Sequence, residues 1–330
     1  MSRPDLPLDH VTPYDRFALS DVDIERMLVS DDHEKDLVAY FGAEEYQDLA
    51  RLARQAAATP VKDPGLRVIV VPGIMGSQLG LLRKPPLPND VLWVDPIDIE
   101  LGRLATLRIS RPSDTAGQPA GNSTVARPAA PRAGAPPADT PPANIVSLGV
   151  VIYSYLKLKL HLRAAGFAAV FHDYDWRLGV DELGRSFAER LRNEPCERLA
   201  VVAHSMGGLV ARAWLRSRAS HKRSDGTDEA ARLITIGTPH RGTWLARLAM
   251  AANARQMRVD SAWMRDLAGR EPPTLPGLIT SWWSECDQIV YPPPTGVFPG
   301  SEAKQLRGVG HIALTAREEI WNEIRRRIDY

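Results

Sequence analysis

The chain has 330 residues, 44% of them hydrophobic and 25% charged, enough apolar material for a sizeable core in one large α/β domain or two smaller ones. A net charge of +1 sets up no global field that would gather nucleic acid or anionic lipid. Two cysteines, Cys196 and Cys286, make no disulfide framework, and no window approaches the roughly 18 continuous apolar residues of a membrane span. The opening Met1-Ser2-Arg3-Pro4-Asp5 has no apolar leader, so a cytoplasmic location is the expectation, with signal-independent export left open.

Residues 1–60 predict a helical N-terminal extension. Ser20 is placed to cap a helix through Ile24 and Met27, and Ser30 or Asp31 to cap a second through Leu37 and Tyr40 to Gly42. A third runs from Ala43 to Ala58 with Tyr46, Leu49, Leu52 and Ala56 on one stripe, and Thr59-Pro60 stops it. Residues 61–330 read as the main domain. It opens on Arg67-Val68-Ile69-Val70-Val71, a β-branched run that suits a buried parallel strand, followed by the loop Pro72-Gly73-Ile74-Met75-Gly76. Residues 112–144, dominated by Pro, Ala, Gly, Ser and Thr, read as a flexible insertion. The segments 80–150 and 243–276 are candidates for a cap; in the second, Met250, Met257, Trp263 and Met264 offer adaptable apolar surface.

Leu156–Leu162 alternates with period two, as a strand does. Yet Tyr155, Leu158 and Leu162 share a helical face and Gly166 suits a C-terminal cap, so a helix is favoured there. Further strands are expected at Ala168–His172, Arg198–His204, Leu233–Ile236, Leu278–Trp283 and Gln305–Val309, with helical stretches between most of them. A final helix, capped by Thr315-x-x-Glu318, would bury Ile320, Trp321, Ile324 and Ile328. This alternation predicts a mostly parallel, doubly wound sheet with helices on both faces.

The chemistry gathers at Ala203-His204-Ser205-Met206-Gly207-Gly208. A serine among small residues, between an apolar strand and a helical stretch, is the sharp turn that exposes a nucleophilic hydroxyl. Such a hydroxyl needs a base and oxyanion donors. His311 and Asp287 follow in the order Ser, acid, His and lie after expected strands, so Ser205, Asp287 and His311 are the expected nucleophile, acid and base. Asp173 and Asp175 remain alternative acids, and His204, His172 and His240 are the rival histidines. The backbone N–H groups of Met206 and Ile74 are the expected oxyanion donors. Gly73, Met75, Leu79, Trp93, His204 and Trp244 are expected to touch substrate. The histidines and cysteines show no metal-ligand spacing, so neither a metal nor a cofactor is expected.

With these residues assembled, the chain resembles α/β-hydrolase lipases and esterases. Over residues 67–210 it is similar to the lecithin:cholesterol acyltransferase-like family: Val71–Leu79 looks like its oxyanion segment, Tyr174-Asp175-Trp176-Arg177 like its Tyr-Asp-Trp-Arg signature and Ala203–Gly208 like its nucleophile motif. Gly237-Thr238-Pro239-His240-Arg241-Gly242-Thr243 and Gly310-His311-x-x-Leu314 look more like compact bacterial lipases. The resemblance implies an α/β-hydrolase fold, the second oxyanion N–H at Ile74, and a structural rather than catalytic Asp175–Arg177 pair. The expected activity is hydrolysis of an apolar acyl ester through an acyl-Ser205 intermediate. The expected partner is a small-molecule or lipid ester, with transient contact to a membrane or lipid surface and no nucleic acid. The alternatives are a phospholipase or lipid O-acyltransferase with the same three residues, and a non-catalytic interaction module of the same fold.

Overall fold

The computed structural model describes residues 20–84, 89–93, 107, 145–194, 196–219, 231–249 and 251–328. The expected insertion at 112–144, most of the candidate cap at 80–150, and Met250 lie outside the described residues. In chain order the elements are α1 (Asp21–Ser30), α2 (Glu34–Phe41), α3 (Ala43–Ala58), β1 (Leu66–Val71), β2 (Ser77–Leu81), β3 (Asp90–Trp93), β4 (Ile145–Val150), α4 (Ile152–Ala164), β5 (Ala168–Phe171), α5 (Val180–Asn193), β6 (Arg198–His204), α6 (Met206–Ala219), β7 (Ala231–Ile236), α7 (Ala252–Gln256), α8 (Ala262–Gly269), β8 (Ile279–Trp283), β9 (Glu302–Gln305) and α9 (Glu318–Ile328). Among the described residues no helix is long and apolar enough to cross a membrane.

The chain forms two compact units, Met1–Ala18 with Leu79–Val146, and Leu19–Gln78 with Ser147–Tyr330. In the first, β2 pairs antiparallel with β3, and Leu79 stands opposite Trp93. In the second, a six-stranded sheet runs β5-β1-β6-β7-β8-β9 with every neighbouring pair parallel. The β1 side chains show why it is continuously apolar. Ile69 and Val71 join a core with Leu183 and Phe187 of α5 and Leu209 and Trp214 of α6, while Val68 and Val70 join a core on the other face with Leu158 of α4 and Ile320, Trp321 and Ile324 of α9. A strand buried on both faces has no polar side to alternate with.

The ambiguous segment Leu156–Leu162 is helical, as the βα alternation requires. Tyr155, Leu158 and Leu162 face the sheet, while Ile152, Leu156 and Leu160 pack against α1–α3. A helix covered on two opposite sides carries apolar residues all round, and that obscures its 3.6-residue period. The lysines between them are paired rather than solvated. Lys157 reaches Glu45 (2.8 Å) and Asp48 (3.1 Å) of α3, and the buried Lys159 reaches Glu25 (2.8 Å) and Asp21 of α1. The N-terminal helices from α1 onward are therefore docked on the sheet domain and fall in the same compact unit.

Four local expectations are corrected. α2 begins at Glu34 after His33, with no side-chain cap; Asp31 instead ends α1 at φ 60° and accepts the Tyr46 hydroxyl at 3.0 Å. The last strand is the polar Glu302–Gln305 rather than Gln305–Val309: it is the edge of the sheet, where an apolar pattern is not required, and the chain turns away at Gly308 (φ 70°). The Thr315–Glu318 capping box does not form. Ile312–Ala316 is already a 3-10 turn, so the Thr315 hydroxyl goes back to the Ile312 carbonyl at 2.8 Å. Met257 and Met264 are core residues rather than cap surface, because α8 folds onto α6.

Candidate active site

The β6 strand ends at His204, and Ser205 takes φ 53° before α6 begins at Met206. A left-handed backbone costs a non-glycine residue about 1–3 kcal/mol, so the surroundings must hold it. They do so closely. The Ser205 N–H donates to the Ile236 carbonyl at 2.9 Å. A Cβ on Gly207 would lie 2.4 Å from the Pro72 carbonyl oxygen, and one on Gly208 would lie 2.1 Å from Thr238 Oγ1. The two glycines after the serine are thus imposed by the loops packed against the turn on either side.

Asp287 follows β8 and His311 follows β9, the same carboxyl edge of the sheet. His311 Nδ1 lies 2.7 Å from Asp287 Oδ2, and both side chains are buried. The other oxygen, Oδ1, accepts the N–H groups of Ile289 (2.9 Å) and Val290 (2.8 Å). A carboxylate only accepts, so the His311 proton sits on Nδ1 and leaves Nε2 with a free lone pair. Gly237, next to the residue that receives the Ser205 N–H, has φ 55°. A Cβ there would be 3.1 Å from His311 Nδ1 and 3.2 Å from Asp287 Oδ2. The serine turn and the Asp–His pair therefore meet across Ile236-Gly237.

Opposite them, Gly73–Gly76 forms a turn closed by Gly76 N–H to the Gly73 carbonyl (3.0 Å), with Met75 at φ 61°. Gly73 abuts the serine: its Cβ would be 2.8 Å from Ser205 Cβ. Its N–H is taken by the Tyr155 hydroxyl at 3.0 Å, whereas the turn's own hydrogen bond does not use the Ile74 N–H. Met206 N–H stands in the first turn of α6, where helix donors have no partner within the helix. The Tyr174–Arg177 segment fixes this loop from outside. Tyr174 donates its hydroxyl to the Pro72 carbonyl (2.6 Å), Trp176 donates Nε1–H to the Ser77 carbonyl (3.0 Å), and Asp175 and Arg177 pair with each other at 2.6 Å.

The rival histidines are engaged elsewhere. His204 has Nδ1 at 2.8 Å from the Tyr155 hydroxyl and Nε2 at 3.3 Å from the His311 carbonyl, which leaves it no ring atom for substrate. Burial and the nearby His311 ring hold it well below the ordinary histidine range. His172, packed on Phe187, is pushed down to about 3 by burial and by Arg190. His240, on Thr235 Oγ1 at 2.9 Å, is lowered by burial and by Arg212. Of the residues expected to touch substrate, Gly73 is buried against Ser205, while Met75 and Trp244 are exposed. Trp244 stacks edge-on against Tyr291 at 5.5 Å; Leu245, Leu248 and Ile289 are exposed too, and Ile312 is exposed next to His311 in sequence. Leu79 and Trp93 belong to the other unit. Among the described residues no group of three His, Cys, Asp or Glu is arranged to hold a metal.

A parallel sheet covered by helices on both faces, with a strained serine turn after the central β6, decides the architecture. The fold is that of an α/β-hydrolase. The family model of the PGAP1-like alpha/beta domain matches residues 185–279, which include the Ser205 turn. Among solved structures, the chain is similar to the mature Bacillus licheniformis lipase BlEst2 (13% identity, 82% of this chain and 95% of that one, TM-score 0.48). It is also similar to the RedJ thioesterase of Streptomyces coelicolor (13% identity, 83% and 87%, TM-score 0.37) and to the lin2722 gene product of Listeria innocua (15% identity, 48% and 68%, TM-score 0.35). No curated protein matches the chain. The resemblance to α/β-hydrolase lipases and esterases is thus one of fold.

Proposed function

We propose that this protein is a serine carboxylic ester hydrolase, a lipase or esterase that cleaves apolar acyl esters through an acyl-Ser205 intermediate. The observation that carries the proposal is the buried 2.7 Å contact between His311 Nδ1 and Asp287 Oδ2, brought to the strained serine turn by Gly237. His311 Nε2 takes the Ser205 proton as Oγ attacks the ester carbonyl carbon, and returns it to the departing alcohol as the carbon–oxygen bond breaks. Water, deprotonated by the same nitrogen, then attacks the acyl carbon, and Nε2 gives that proton to Ser205 Oγ as the acyl–oxygen bond breaks and the free acid leaves. The Ile74 and Met206 N–H groups would hold the oxyanion in both steps, a contribution of about 3–4 kcal/mol for each donor. The exposed Met75 beside Ile74, Ile312 beside His311, and Trp244, whose N–H donates to the Tyr291 carbonyl after Asp287, favour an apolar acyl group.

The test is hydrolysis of p-nitrophenyl esters from acetate to palmitate, with Ser205→Ala as control. Turnover that vanishes in the control supports the proposal, and the chain-length optimum sizes the acyl site. A folded protein that neither hydrolyses any ester nor reacts with a fluorophosphonate would refute it. Adding a long-chain alcohol to the same assay distinguishes hydrolysis from acyl transfer by product.

A further inference from the structure

Between the Gly73 turn and His311 the hydrogen bonds admit one proton assignment. The Gly73 N–H can only donate, and it meets the Tyr155 hydroxyl oxygen at 3.0 Å. The hydroxyl proton is then left for the other neighbour, His204 Nδ1, at 2.8 Å. Nδ1 must be unprotonated to accept it, so a neutral His204 carries its proton on Nε2, which faces the His311 carbonyl oxygen at 3.3 Å. Burial of the ring keeps His204 neutral. The chain of donors thus starts on the backbone beside Ser205 and ends on the backbone of His311. It has little slack: a Cβ on Gly73 would fall 3.2 Å from His204 Nδ1, and one on Gly76 would fall 3.0 Å from the Tyr155 oxygen. One hydroxyl therefore bonds the first residue of the turn that carries Ile74 and leaves no room for a side chain at its last.

We propose that Tyr155 and His204 are positioning residues for the hydrolysis proposed above, on which this inference rests: together they hold the oxyanion turn and the His311 backbone in one register with Ser205. Both are buried and neither meets substrate. Their effect is on where the Ile74 N–H and the His311 ring stand relative to the serine oxygen, and a misplacement of about 1 Å in such a site costs up to about 100-fold in rate.

Three variants test this, with kcat and KM read separately. Tyr155→Phe keeps the ring and removes both hydrogen bonds. His204→Phe removes the acceptor and the donor, whereas His204→Gln can offer an oxygen to Tyr155 and an N–H to His311. The expected result is a kcat about 10- to 100-fold lower in the two Phe variants at nearly unchanged KM, with most of the rate kept in His204→Gln. A wild-type kcat in Tyr155→Phe, or equal rates in the Phe and Gln variants of His204, would overturn the proposal. Nitrogen-15 spectra of the histidines in the unsubstituted protein read the network whether or not the variants fold: His204 protonated on Nε2 supports it, and protonation on Nδ1 overturns it. Fluorophosphonate labelling of the unsubstituted protein separates the two claims. A protein that does not label contradicts the proposed reaction, while a labelled protein with undisturbed Phe variants contradicts the positioning role alone.

Discussion

Asp287 uses its two oxygens for different purposes. Oδ1 is tied to two backbone N–H groups of its own loop, and Oδ2 faces His311 Nδ1. Asp287→Asn separates them, because the amide oxygen can keep the loop while the amide nitrogen turns toward the ring. A donor opposite Nδ1 favours the tautomer protonated on Nε2, and that nitrogen can no longer accept the Ser205 proton. We expect kcat to drop about 1,000- to 10,000-fold with little change in thermal midpoint. Near-normal turnover in this variant would move the acid to another carboxylate, and Asp173 would be the first to replace, since Asp175 is committed to Arg177. The three candidate residues were legible in the sequence because each sits in a local pattern: a serine between small residues, and an acid and a histidine just past strands. The parts played by Tyr155 and His204 were not. Their hydrogen bonds join positions 82 and 49 residues apart, and a tyrosine on an apolar stripe looks like ordinary core.

Helix α4 shows the same limit at the scale of an element. Its period-two pattern is the product of two buried faces, one fixed by the sheet and the other by helices that end at Ala58, far ahead of its own start at Ile152. Local periodicity reports how many sides are covered, and only the partners show by what. The polar strand β9 failed for the converse reason, since an edge strand has little apolar signal to read. Strands β1 and β6, buried on both faces, were legible almost to the residue. The two-faced account of α4 predicts a specific pair of costs. Leu156→Ala opens a cavity toward α1–α3 and Leu158→Ala one toward the sheet, and each should destabilise by about 2–5 kcal/mol in urea unfolding. An insensitive Leu156 beside a sensitive Leu158 would mean that the N-terminal helices contribute little to holding α4.

Across the whole molecule, stability is linked to pH through histidines that the fold keeps neutral. His172, His204 and His240 are each lowered by burial, and His172 and His240 also by neighbouring arginines. In the unfolded chain they ionise near 6.5. Below that pH the unfolded state binds more protons than the native state, so native stability is full above about pH 7.5 and falls as the pH drops, until the folded groups themselves protonate. For His172 that end-point is about 3. The loss is about 1 kcal/mol per histidine per pH unit once below 6.5. Carboxylates held low by their partners, such as Asp48 beside Lys157 and Glu323 beside Lys304 and Arg327, lose stability in the same direction but only below about pH 5, where unfolded carboxyls begin to protonate. The window from pH 7.5 to 5.5 therefore isolates the histidines. Calorimetry should find the thermal midpoint lower at pH 5.5 than at 7.5 by roughly 5 °C or more. Replacing His172 by Asn should shrink that difference but not abolish it, because His161, His204 and His240 are also lowered by burial and remain. A midpoint that does not move between the two pH values would mean that these rings protonate within the native state, and that the packing around them is looser than their burial indicates.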